Sequence, residues 1–365
     1  MPFLSISPIN FRNLTNKTID VSAKEVFFVG KNGQGKSNLL ETLYYSAYGS
    51  SFRTHSDVEI VKKGEFSFSL HTIFREENGI THTTGVYFDK NLKKIEKDGK
   101  IVNDRKELIN TMPCVLYNHD DLDFVIGAPE RRRFFIDQSL TMYDIFYVDI
   151  LRRYKRILKN RNLSLKEKKF DLLDSFDIQL VKNGIEIQQK RKNAIFTFNQ
   201  IFGNLYEQIT GIDGLTIKYN PSWKNEDFNV PDFDEAMKIV INHREIEKLM
   251  GTTMTGPHRD RISFIRNGQT FVPTASTGQR RLLALILRTS QAVFYNQITN
   301  RKPIILMDDV LLELDPEKRK KVTELLPEYE QLFCTFLEGE PYNNYITGET
   351  KIYLLNNGEW ELISN

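Results

Sequence analysis

Residues Gly30-Lys31-Asn32-Gly33-Gln34-Gly35-Lys36-Ser37 constrain this chain more than any other segment. Their spacing is G-x-x-x-x-G-K-[ST], that of a phosphate-binding (Walker A) loop. The spacing has a mechanical reason. Glycines let backbone N–H groups curl around a polyphosphate without Cβ clashes. Lys36 puts a cation on the β- and γ-phosphates, and the Ser37 hydroxyl can ligate Mg²⁺. A helix beginning there, with Asn38 in its first turn, aims its N-terminal dipole at the same anions. A chance match is the competing reading in a chain with 20 Gly. The flanks favour the nucleotide. Glu25-Val26-Phe27-Phe28-Val29 reads as a buried strand feeding the loop. Leu39, Leu40, Leu43, Tyr44, Ala47 and Tyr48 fall at helical spacing and predict a helix over 37–48.

Pro303-Ile304-Ile305-Leu306-Met307 is a second apolar run and ends in Asp308-Asp309. Ligands collect at the carboxyl ends of parallel strands. Asp308 is therefore the candidate to hold Mg²⁺, and Asp309 the candidate to orient or deprotonate an attacking water. An exposed turn after a core strand would look the same. Ser276-Thr277-Gly278-Gln279 opens another apolar helix. Helix capping explains a Ser there, and a second phosphate-facing helix start explains it equally well.

At 365 residues, the chain is long enough for about two domains. Residues 58–103 read as β-rich, 129–208 as charged helix, 210–232 as a Gly/Pro break and 234–250 as helix again. A hairpin is predicted around Asn267-Gly268 and a helix over 282–294. The simplest partition is an α/β body from both chain ends, 1–129 and 251–365, interrupted by a helical insertion at 130–250. Lys and Arg total 50 against 48 Asp and Glu, so a nucleic-acid site must be a local patch. One exists: residues 152–169 carry nine Lys or Arg against the single Glu167. Arg152, Arg153, Lys155, Arg156 and Lys159 are the candidate DNA contacts, with a merely solvated helix face as the alternative. Arg131-Arg132-Arg133 is a second basic spot, equally suited to buried pairing. Cys114 and Cys334 have no metal-ligand spacing. No signal-like start or apolar run near 18 residues is evident, which predicts a cytoplasmic protein without a membrane partner.

Taken together, the motifs resemble those of the RecF family of bacterial recombinational-repair ATPases, which are related to SMC and ABC-type proteins. The likeness rests on Asn10-Phe11-Arg12-Asn13, the Walker A loop, Ser51-Phe52-Arg53-Thr54, Gly127-Ala128-Pro129 through Asp137, and Thr255-Gly256-Pro257-His258-Arg259-Asp260. Ser276-Thr277-Gly278-Gln279 resembles the ABC signature, and Asp308-Asp309-Val310 the Walker B end. Leu312-Glu313-Leu314-Asp315 resembles the D-loop, although Leu312 replaces its usual Ser. Asn118-His119-Asp120-Asp121-Leu122 stands where the family has Pro-Glu-Asp-Leu, and Thr335 where related ATPases place a switch His.

The resemblance implies a P-loop ABC-type ATPase head and a gated clamp. ATP with Mg²⁺ would bridge a homodimer. Each ATP would touch Gly30–Asn38, Asp308 and Asp309 of one chain and Ser276, Gly278 and Gln279 of the other. It also implies a weak, DNA-stimulated ATPase used as a switch in DNA replication, repair and the SOS response. DNA would be bound as duplex near single-strand gaps. RecO and RecR are the implied partners, and loading of RecA the implied outcome. A small-molecule P-loop kinase, or the head of a nuclease or chromosome-organising complex, are the alternatives.

Overall fold

A computed structural model describes residues 2–76, 78–109 and 111–364, apart from the side chains of Leu312, Glu313 and Ser364. Contacts divide the chain into two compact units, 1–121 with 291–365, and 122–290. These limits differ at both ends from the partition drawn on composition, which broke at 129/130 and 250/251.

The first unit contains two six-stranded sheets. One is antiparallel and centres on Phe3–Ile9, Ser67–Arg75 and Thr81–Asp89. Its residues alternate. Phe68, Leu70, Thr72 and Phe74 are buried while His71, Ile73 and Arg75 face out, as a sheet covered on one side requires. The other sheet is mostly parallel. Glu25–Val29 lies between Gln331–Phe336 and Thr350–Asn356, followed outward by Ile304–Met307 and Cys114–Tyr117. Every residue of Glu25–Val29, Cys114–Tyr117, Ile304–Met307 and Gln331–Phe336 is buried. Such strands read as unbroken apolar runs because both faces are covered. The sheet's parallel order brings the carboxyl ends Val29, Met307 and Phe336 to one edge, where the phosphate loop begins. Cys114 and Cys334 are buried free thiols.

The second unit is built on helices Pro129–Thr141, Ile145–Lys166, Leu173–Thr210 and Phe233–Met250. Asp144 caps the second of these and an Asp232–Glu235 capping box starts the fourth. Strand Leu215–Asn220, inside the predicted Gly/Pro break, pairs antiparallel with Arg261–Arg266, which turns into Gln269–Thr270. That pairing is why residues beyond 250 belong with these helices. Helix Thr277–Thr299 starts in this unit and ends in the other. Among the described residues, no helix is long and apolar enough to cross a membrane.

Candidate nucleotide-binding and nucleic-acid-binding sites

The loop Gly30–Gly35 runs from the buried strand Glu25–Val29 into helix Lys36–Tyr48. Gly33 and Gly35 sit at φ 78° and 112°, conformations that a side chain disfavours. No acidic residue occupies the helix's first turn and no side chain caps it. Its free N–H groups remain available to an anion. Lys31, Asn32 and Gly33 are exposed. Gln34 is tied to the turn that joins the last two strands, its side chain accepting from Asn357 N at 2.5 Å.

Lys36 is only 4% exposed. Its Nζ donates to the carbonyls of Gly30 at 2.8 Å and Lys31 at 3.2 Å. An ammonium has three donors, so one remains. Ser37 Oγ donates to Asp308 Oδ1 at 2.7 Å, joining the helix start to the end of strand Ile304–Met307. Thr335 stands beside them on the next strand, 2.7 Å from Asp309 Oδ1 and 3.3 Å from Asp308 Oδ1, and accepts from Asp309 N. Burial raises the Asp308 carboxyl above its ordinary range, and the neighbouring Asp309 adds to this. Asp309 itself adopts φ 53° as the chain turns away.

A second layer, visible in the sequence only as unexplained motifs, holds the loop. Asn13 donates to Gly33 O at 3.3 Å and accepts from Asn38 at 2.7 Å. Arg53 donates to the Asn38 amide oxygen at 2.6 Å. Beneath the loop, Glu41 is fully buried in the helix. Arg12 grips its carboxylate with two bonds of 2.9 and 2.8 Å, Ser51 donates to it, and Arg53 lies 3.5 Å away. The N-F-R-N and S-F-R-T segments thus converge on one carboxylate under the phosphate loop. Asp121 is buried and accepts from Asn118 N at 3.0 Å, while Asp120 is exposed. The Leu312 side chain of the predicted D-loop lies outside the described residues.

In the second unit, Ser276 and Gln279 form a reciprocal cap. Gln279 N donates to Ser276 Oγ at 3.2 Å, and Ser276 N to Gln279 Oε1 at 2.8 Å. Capping is therefore what these side chains do within one chain. Ser276 and Gly278 are exposed, and the hydroxyl proton of Ser276 stays free to donate. Arg152, Arg153, Lys155, Arg156 and Lys159 are all exposed along one helix, with Arg152 lying 3.8 Å from Asp149. Arg161, from the same basic stretch, is not on that face. It is fully buried, bonds Asp177 at 2.6 Å and Thr253 at 2.8 Å, and lies 2.7 Å from Glu247. Arg132 and Arg133 are likewise engaged, with the carbonyls of Val125 and Gly127 and of Asp260.

A model of the RecF/RecN/SMC N-terminal domain matches residues 4–358. The chain is 46% identical over 355 residues to the DNA replication and repair protein RecF of Treponema pallidum (strain Nichols), covering 97% of this chain and 99% of that one. The chain belongs to the RecF family. RecF of Geotalea uraniireducens (strain Rf4) is 30% identical, with 94% and 97% of the two chains covered. Among solved structures, the recombination mediator protein RecF-ATP of the RecFOR pathway is similar at TM-score 0.90 and 26% identity, over 99% of this chain and 97% of that one. The Smc head bound to the C-winged helix domain of ScpA shares the fold, at TM-score 0.59 and 15% identity over 100% and 97%. The mixed α/β architecture is thus the RecF and SMC ATPase head.

Proposed function

We propose that this RecF-family chain is an ATP-driven DNA clamp for replication and repair. The observation that carries the reading is the Lys36 ammonium: buried, bonded only to two carbonyls, and with one donor left beside the Ser37–Asp308 pair. A buried cation at a helix start that no side chain caps suits a polyphosphate. Ser37 and Asp308 offer hard oxygen donors that suit Mg²⁺, which takes one or two carboxylates together with substrate phosphates. When bound there, the ion supplies charge neutralisation at the phosphate oxygens. Lys36 orients the same oxygens, and Asp309, held by Thr335, positions the attacking water.

In this reading residues 1–121 and 291–365 form the nucleotide-binding head. Ser276, Gly278 and Gln279 of a second copy reach the same ATP, so ATP favours the closed homodimer through its differential affinity. Hydrolysis is slow, stimulated by DNA, and serves as a release switch. The exposed cations Arg152, Arg153, Lys155, Arg156 and Lys159 meet the backbone of duplex DNA near single-strand gaps. The solved relative's place in the RecFOR pathway supports RecR and RecO as partners and RecA loading as the outcome, in the cytoplasm.

The test is ATP turnover and sedimentation, with and without duplex DNA. The native chain is expected to dimerise with ATP and to turn over faster on DNA. Lys36→Ala is expected to lose about 10²–10³ in turnover. Ser276→Arg is expected to keep ATP binding and lose dimerisation. An ATP-bound chain that stays monomeric and ignores DNA, or that phosphorylates a metabolite, overturns the reading.

A further inference from the structure

The second unit contains a half-open cleft of about 780 Å³, whose lining includes Arg133, Lys224, Arg259 and Arg261, against the one carboxylate Glu130. Elsewhere in this unit two buried arginines are tied to carboxylates: Arg161 to Asp177 and Glu247, Arg191 to Asp137 and Asp260. The cleft cations are not. Among the described residues, Lys224, Arg259 and Arg261 have no carboxylate within ion-pair distance. Lys224 lies over the Phe228 ring at 4.7 Å, Arg259 reaches the Thr253 carbonyl at 3.4 Å, and Arg133 bonds the Asp260 carbonyl at 2.8 Å.

The cleft is also pre-organised. Asp260 is turned inward, where it accepts from Arg191, Gln188, Tyr219 and Ser222 N at 2.5–2.9 Å. That leaves its neighbours Arg259 and Arg261 exposed on either side. Trp223 is fully buried against Gly184, and so the adjacent Lys224 faces out. His258 is not one of the cations. Its Nε2 donates to Thr253 O and its Nδ1 accepts from Tyr154 Oη, and burial lowers its pKa to about 4. Among the described residues, no Phe, Tyr or Trp lines the cleft. It therefore offers cations for phosphate groups and no stacking platform for bases.

We infer that this cleft is a second phosphate-binding site, which grips the phosphodiester backbone of duplex DNA without reading its sequence. Its open side admits a continuous strand, and its fixed cations neutralise neighbouring phosphates. The inference rests on the DNA-clamp reading and assigns it contacts beyond the helix Ile145–Lys166.

The experiment is binding of a labelled duplex to the full chain with ATP and Mg²⁺ across a salt series. Lys224→Ala/Arg259→Ala/Arg261→Ala is expected to weaken binding at least about ten-fold and to flatten the slope of log affinity against log salt by roughly two to three. The three side chains are exposed, so melting and DNA-free ATP turnover should stay as in the native chain. A native chain that binds duplex with the triple variant superimposed on it overturns the cleft and leaves the clamp standing. A native chain that binds no duplex overturns both. Inorganic tripolyphosphate separates the remaining source. Calorimetric binding to Lys36→Ala that disappears in the triple variant, with duplex affinity unmoved, would make the cleft a small-anion site and reject the DNA assignment.

Discussion

Lys36 and Arg191 are equally buried, at 4% exposure each, yet their surroundings differ in kind. Arg191 donates twice to Asp137 at 2.8 Å, once to Asp260 at 2.9 Å and once to Pro257 O at 2.7 Å. Burial works against its charge, but the two carboxylates outweigh burial and raise its pKa well above the ordinary value. Lys36 has two carbonyls and, among the described residues, no carboxylate. The first cation is part of a finished scaffold. The second is kept incomplete, and the missing counter-charge has the chemistry of a phosphate. Burial alone therefore does not separate structure from function; the completeness of the partners does.

The contrast can be broken by experiment. In the scaffold, Arg161→Leu takes the cation from buried Glu247 and one of two from buried Asp177, which keeps Arg244, and should cost about 3–5 kcal/mol in urea unfolding. Adding Glu247→Leu, which removes the carboxylate left without a cation, should recover part of it. A single variant as stable as the native chain would mean the network is not holding the fold. At the loop, Lys36→Ala should do the reverse, keeping stability within about 1 kcal/mol while activity collapses. A large stability loss there would make Lys36 a scaffold residue too. The smallest effect concerns pH. His258 is held neutral, with its folded pKa of about 4 below the ordinary 6.5. Its contribution is present above about 6.5 and is lost as pH falls toward about 4, where the unfolded chain alone takes up the proton. His258→Gln should remove roughly 1–3 kcal/mol of that acid-side decline, measured as unfolding free energy against pH. Parallel curves for the two proteins would contradict the buried neutral imidazole.

Much of the nucleotide site was legible because its chemistry is local. Eight contiguous residues set the loop, and the apolar runs on either side of it announced the strand and helix now at Glu25–Val29 and Lys36–Tyr48. Asp308 was placeable for the same reason, as a carboxylate following an apolar run that does form a strand, Ile304–Met307. Arg161 was not. Charge patterning places a cation in a basic stretch on the surface, and its partners Asp177 and Glu247 lie 16 and 86 residues away in sequence. Strand Leu215–Asn220 was hidden among turn residues, although Leu215 and Ile217 alternate with exposed neighbours, because the strand that pairs with it begins only at Arg261. Glu41 falls inside the predicted helix over 37–48, and nothing in the sequence marks it out. Only the fold brings Arg12, Ser51 and Arg53 onto it.

The interleaved parallel sheet has a consequence for how the chain is made. The strand feeding the phosphate loop, Glu25–Val29, has as its two sheet neighbours Gln331–Phe336 and Thr350–Asn356, both some 300 residues further along the sequence. Gln331 also bonds the backbone of Phe3, Val21 and Ala23. A ribosome-bound chain can complete the contiguous unit 122–290 early, but it carries its loop strand bare until residues 331–356 have been made. An interrupted product that stops short of residue 330 therefore has the loop's sequence without the sheet that shapes it.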